Sequence, residues 1–149
     1  AQGNELFRSV SLWVLMDLES RAMVLPGKSG VDVGGTLIGN ELSVPHSLAP
    51  KELKNTAIRT VTYTCLDRNG HMNNTRYLDW VMDLLPSSFH RDHPLREVTL
   101  CYLSEAREGE QLYLSWDMQE GPILTVEASR KEQEQDIKKQ HIFSSQVRF

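Results

Sequence analysis

Apolar and polar residues alternate in one way near the start of the chain, lose all pattern in the middle, and regain it after residue 57. Glu5–Asp17 is rich in Val, Leu, Trp and Phe and partly alternates, which predicts a strand. Glu19–Leu25 reads as a short strand or turn, stopped by Pro26-Gly27. Ala1–Asn4 reads as the tip of a hairpin whose first arm is absent. Residues 26–57 carry Pro26, Gly27, Gly30, Gly34, Gly35, Gly39, Pro45 and Pro50 without a sustained period. A stretch this long without periodic structure predicts a linker. The expected organisation is therefore 1–25 as the end of a preceding unit, 26–57 as linker and 58–149 as the main domain.

Within the main domain Ile58–Leu66 predicts a strand, with Val61, Tyr63 and Cys65 on one face and three threonines on the other. A polar stretch, Asp67–Asn74, follows. Thr75–Leu85 predicts a helix, because Tyr77, Trp80, Val81, Leu84 and Leu85 recur at i, i+3, i+4, i+7 and i+8. Asn73 or Asn74 suits its N-cap and Pro86 its end. A loop rich in Ser, His and Pro leads to four strands, Glu97–Ala106, Gln111–Gln119, Ile123–Glu132 and Ile137–Phe149, joined as hairpins. One helix among antiparallel strands predicts an α+β domain with the sheet on one side of the helix. The terminal strand resembles the opening segment in character, as a repeated unit would.

Composition narrows the function classes. The chain has 149 residues, 40% apolar and 24% charged, enough to bury one core without staples. Its 16 basic and 20 acidic residues give a net charge of −4, which argues against a nucleic-acid partner. No apolar run reaches the length of a membrane span, and no secretory leader is visible. Cys65 and Cys101 are too few for a disulfide framework and read as buried thiols in a reducing compartment.

The chemistry is concentrated in Asp67-Arg-Asn-Gly-His-Met-Asn-Asn-Thr-Arg-Tyr77. Asp67, Asn69 and His71 stand at i, i+2 and i+4, so in an extended segment they project to one side, next to a helix N-terminus. A carboxylate or imidazole can take a proton from water, an amide can hold water or substrate, and free helix N–H groups suit a developing oxyanion. The same residue types also build turns and caps, so the stretch reads equally as a structural loop.

Asp-x-Asn-x-His-x-Asn-Asn-x-x-Tyr, an apolar helix and then Tyr-x-x-Glu resemble the C-terminal half of the acyl-acyl-carrier-protein thioesterases of plants and bacteria. The resemblance runs from Ile58 to about Leu114, and Arg8–Arg21 resembles the end of that family's first repeat. It implies a hot-dog fold, an antiparallel sheet wrapped around one long helix, in two tandem repeats of which the second carries catalysis. It implies that Asp67, Asn69, His71 and Glu105 are catalytic. Asn73, Asn74, Tyr77 and Trp80 are the candidate substrate contacts beside them, with Trp80 reading most simply as a core aromatic and otherwise as a lining of the acyl groove. Ala106 stands where the plant enzymes often have Cys, which excludes a thiol nucleophile there. The implied reaction is hydrolysis of a fatty acyl thioester of acyl carrier protein, with release of the fatty acid, either by attack of water polarised by Asp67 and His71 or by direct carboxylate attack through a transient anhydride. Neither cofactor nor metal is implied.

With most of the first repeat missing, a homodimer is expected to cover the exposed sheet surface. The expected setting is the bacterial cytoplasm. Coenzyme A esters are the alternative substrate, and a non-catalytic acyl-binding or dimerisation module is the alternative from another class. Arg68, Arg76, Arg107, Arg130 and Lys131 could meet an acidic carrier or a phosphate, or form an ordinary solvated surface. His90 and His93 lack further ligands at metal spacing and read as loop residues.

Overall fold

The computed structural model describes residues 6–20, 22–30, 32, 34, 43, 48, 52–130 and 140–149. The chain divides into two compact units, Ala1–His46 and Ser47–Phe149. In the first, β1 (Leu15–Met16) pairs with β2 (Met23–Val24), followed by one helical turn, α1 (Pro26–Ser29). Asp17 shapes the turn between the strands: its Oδ1 accepts from both the Ser20 hydroxyl and the Ser20 backbone at 2.7 Å. The side-chain bond, then the backbone one, hold its carboxyl below the ordinary value. The long opening strand expected over Glu5–Asp17 is not formed in its described part. Only its last residues find a partner strand, and Leu6, Phe7, Leu12 and Trp13 are exposed.

The second unit holds β3 (Asn55–Thr60), α2 (Asn74–Met82), α3 (Ser87–Asp92), β4 (Glu97–Tyr102), β5 (Gln111–Gln119), β6 (Ile123–Arg130) and β7 (His141–Arg148). The five strands form one antiparallel sheet in the order β3-β5-β6-β7-β4. The expected chain of hairpins is therefore broken at its first link. β4 pairs with β7, not β5, and the connection over residues 103–110 carries the chain to the other side of the sheet. Strand alternation sorts β6 cleanly: Leu124, Val126 and Ala128 join the apolar core, while Thr125, Glu127 and Ser129 face away from it. Tyr77 and Val81 of α2 belong to the same core, and the Tyr77 ring stacks on Phe143 of β7 with centroids 5.0 Å apart. The α+β arrangement of helix on sheet is as expected. The helix is nine residues long. Leu84 and Leu85 complete its stripe, but by i→i−3 bonds to Val81 and Met82 at 3.2 Å, as the chain tightens ahead of Pro86.

Three other expectations differ. β3 begins at Asn55, inside the segment read as linker, and ends at Thr60. Past Val61 the chain coils into a 3₁₀ turn, Tyr63–Cys65, closed by Cys65 N–H to Thr62 O at 2.8 Å. Val61 and Cys65 are buried while Tyr63 is 78% exposed, which strand alternation could not produce. The stretch read as a Ser/His/Pro loop contains α3, whose Phe89 packs edge-on against Phe149. Cys65 is buried as expected, but Cys101 is only half-buried. Among the described residues no helix is long and apolar enough to cross a membrane.

Candidate active site

The polar stretch before α2 is a closed loop rather than an extended strand end. The Asp67 N–H donates to His71 O at 2.7 Å, and Gly70 N–H returns to Asp67 O at 3.2 Å. Gly70 has φ +75°, a left-handed conformation that glycine adopts without steric cost. The Asp67 side chain closes the loop from within: its Oδ1 accepts from the backbone of Asn69 at 2.8 Å and of His71 at 3.1 Å. A bridge between Leu66 and Met72 ties the base of the loop. Asp67, Asn69 and His71 all line one cavity of about 340 Å³.

The N-terminus of α2 forms the next wall. Asn73 is its N-cap, and its Oδ1 accepts from the Thr75 backbone at 3.0 Å and the Thr75 hydroxyl at 2.9 Å. Asn74, the first helical residue, lines the cavity, and its carbonyl accepts from the Tyr102 hydroxyl at 3.1 Å. Tyr77 lines it one turn further on, its ring clustered with those of Phe143 and Tyr102. Burial pushes the Tyr77 phenol up to about 12, and burial also raises that of Tyr102.

The last wall is the connection after β4. Leu103, Ser104 and Glu105 line the cavity, and Glu105 Oε2 lies 3.2 Å from His71 Nε2. The His71 side chain is 20% exposed and that of Glu105 about half exposed, so the pair stands where cavity meets solvent. A neutral imidazole whose Nε2–H points at the carboxylate keeps Nδ1 as a proton acceptor, the requirement for a general base acting on water.

Of the residues singled out in the sequence, Asp67, Asn69, His71, Glu105, Asn74 and Tyr77 meet at this cavity. Asn73 and Trp80 are not among its lining residues: Asn73 caps the helix, and Trp80 packs partly buried against the core. Met72, Tyr102, Leu103 and Ser104 line the cavity without having been singled out individually, although Tyr102 opens the Tyr-x-x-Glu string. Cys65 sits in the core, 3.4 Å from the Thr62 hydroxyl. His90 and His93 bond the carbonyls of Met82 and Phe89, both at 3.0 Å. Among the described residues no group of three or more His, Cys, Asp or Glu could hold a metal ion. Of the basic residues, Arg76 pairs with Asp79 at 2.9 Å, and Lys131 lies outside the described residues.

Comparison with known proteins bears on this geometry. A family profile described as the acyl-ACP thioesterase C-terminal domain matches residues 49–146. The chain is 27% identical over 111 residues to a chloroplastic dodecanoyl-[acyl-carrier-protein] hydrolase of Cinnamomum camphora, covering 69% of this chain and 29% of that protein. The corresponding hydrolase of Umbellularia californica is 28% identical over 111 residues, with the same coverage of 69% and 29%. An acyl-ACP thioesterase structure from Bacteroides thetaiotaomicron is similar at TM-score 0.62 and 27% identity, over 90% of this chain and 52% of that one. A 4-hydroxybenzoyl CoA thioesterase, complexed with 4-hydroxybenzoyl CoA, shares the fold at TM-score 0.52 and 13% identity, over 62% of this chain and 79% of that one. The sheet with its helix is thus the hot-dog fold. The chain spans less than a third of the length of these plant relatives and about half of the bacterial one.

Proposed function

Because the chain belongs to the acyl-ACP thioesterase C-terminal domain family, we propose that it hydrolyses fatty acyl thioesters on acyl carrier protein, releasing free fatty acid and ending chain elongation. The observation that carries this reading is the His71–Glu105 pair, 3.2 Å apart at the mouth of a cavity walled by a helix N-terminus. Glu105 orients the imidazole, and Nδ1 of His71 takes a proton from water as its oxygen attacks the thioester carbonyl. The tetrahedral oxyanion is stabilised by the N–H of Asn74, which has no acceptor within its own helix. The C–S bond then breaks, and the imidazolium returns its proton to the departing thiolate.

Asp67 holds the loop in this scheme. Its Oδ1 is engaged by two backbone N–H groups, which fits a residue that fixes His71 better than one that forms an anhydride. Asn69 holds water or the carbonyl, and Asn74 and Tyr77 contact the acyl group. Asn73 caps the helix at its N-terminus, and Trp80 packs it against the core.

The assay compares carrier-protein and coenzyme A thioesters of the same acyl group, with Asp67→Asn and His71→Ala as controls. Faster turnover of the carrier-protein ester is expected. Preference for the coenzyme A ester would reassign the carrier. Hydrolysis unchanged in both variants would remove the site, and ligand binding without hydrolysis would make the chain an acyl-binding module.

The remaining parts of the reading concern assembly. Residues 1–25 are taken as the end of a first hot-dog repeat, joined by a linker to the catalytic repeat, whose sheet starts with β3 at Asn55 rather than at residue 58. The exposed Leu6, Phe7, Leu12, Trp13 and Leu18 support this, and they support a two-fold homodimer of the chain as given. Sedimentation as a monomer at micromolar concentration would contradict the dimer. The setting is taken as the bacterial cytoplasm, and the Bacteroides origin of one neighbour supports its bacterial part. A plastid leader encoded upstream would overturn it.

A further inference from the structure

We propose that Arg130 is a positioning residue for this site: its guanidinium holds the Glu105 backbone so that the carboxylate meets His71. The inference rests on the reading of His71 and Glu105 as the hydrolytic pair. Arg130 ends β6 and is paired with Leu112 of β5, on the face of the sheet that carries the core. Its planar fork presents donors in fixed directions, and three of them are used on two stretches of chain, the 103–110 connection and the chain entering β7. Nε donates to Glu110 Oε2 at 2.9 Å, Nη1 to Gln140 Oε1 at 2.8 Å, and Nη2 to the backbone carbonyl of Glu105.

The Glu105 segment needs such an anchor. Having left the sheet at Tyr102, the chain is tied by Leu103 and Ser104, whose N–H groups both reach Ile142 O at 2.9 and 3.1 Å. It is next tied at Ala106, whose carbonyl accepts from Met72 N–H at 2.8 Å. Between these ties the Glu105 carbonyl is held by the guanidinium. The Glu105 side chain is 51% exposed, so packing alone does not fix it. Arg130 is not among the cavity-lining residues, and of the three residues its guanidinium bonds only Glu105 lines the cavity. Displacing a reacting group by about 1 Å can cost on the order of 10²-fold in rate. Lysine in place of Arg130 would keep the charge beside Glu110 but could not span all three acceptors.

The test is a double-mutant cycle on the full 149-residue chain with dodecanoyl carrier protein as substrate. Arg130→Gln is expected to lower kcat by roughly 10- to 100-fold with KM changed less than about twofold. In a Glu105→Gln background the same substitution is expected to change kcat less than about twofold, because its target is already disabled. An equal loss in both backgrounds would make Arg130 merely structural and overturn the proposal. If Arg130→Gln does not fold, Arg130→Lys carries the same comparison. Hydrogen–deuterium exchange supplies a readout independent of turnover. Residues 103–108 are expected to exchange faster in the variant while residues 142–147 do not, and unchanged exchange at 103–108 would also overturn the proposal. Failure of the wild-type chain to hydrolyse any thioester defeats the hydrolase reading alone, and the exchange result still decides whether Arg130 anchors the segment.

Discussion

Two stretches of irregular chain face each other across the cavity, and they are held in opposite ways. The Asp67–His71 loop is tied mainly to itself, by the Asp67 side chain and two short-range backbone bonds, with a bridge from His71 to Arg107 linking it to the other stretch. The 103–110 connection makes most of its bonds to distant partners: Ile142, Met72, Val61 and Arg130. The first is a local object that short-range chemistry builds. The second exists only where β3, β6 and β7 have already assembled. The reactive pair takes one member from each, so its geometry is only as good as the sheet beneath it.

Substitutions can separate the two kinds of support. His71→Ala removes the proposed base, and loss of about 10²–10⁴-fold in kcat is expected in a thioester assay. A loss under threefold would point to another base. Asp67 distinguishes holding from reacting: Asp67→Ala should cost roughly 10- to 100-fold through a loosened His71. Asp67→Asn keeps an oxygen acceptor for the Asn69 and His71 amides and should cost about tenfold less than Asp67→Ala. Equal loss in the two variants would instead favour a direct chemical role for the carboxylate.

Phe143→Ala strikes the other support, beneath Tyr77. It should lower stability by about 3–5 kcal/mol in urea unfolding. A change under 1 kcal/mol, on the order of a surface substitution, would deny that the ring anchors the helix. Gly70→Ala tests the local loop. A Cβ there meets nothing within 4 Å, so only the +75° φ resists it, at roughly 1–2 kcal/mol. An unchanged melting temperature would mean that the loop adopts another shape.

A further effect is alkaline. Tyr77 is raised by burial to about 12 from an ordinary value of 10.0, so the unfolded chain releases its proton first. The stability it contributes is present below pH 10.0 and lost as pH rises towards about 12. Urea midpoints should fall across that window and fall less steeply in Tyr77→Phe. Identical slopes would show that the phenol titrates no differently when folded. Some slope should remain in the variant, because Tyr102 is raised too.

The same contrast explains what could be read from residues alone. The helix stripe from Tyr77 to Leu85, the Asn73 cap, the bounds of β5 and the three-residue set Asp67, Asn69, His71 depend on neighbours within a turn or two. Periodicity and side-chain type report such things directly. The end of β3 is not legible in the sequence, because threonine and valine suit both a strand and the turn that follows. Only the bonds of Val61 with Gly109 and Glu110, and the burial of Cys65, decide between them. In the sequence Arg130 is one of several cations suited to a carrier, a phosphate or a solvated surface, and only the folded sheet sets the Glu105 carbonyl beside it.

Sequence by itself determined the composition of the domain: one amphipathic helix, alternating strands, and a polar loop that folds on its own hydrogen bonds. Tertiary structure decided that β4 lies beside β7, and therefore that Glu105 reaches His71 from 34 positions away in the chain. The physical reason is range. Torsional preference and side-chain period act over a few residues, whereas strand order is settled by which apolar faces are buried together once the whole sheet has closed on its helix.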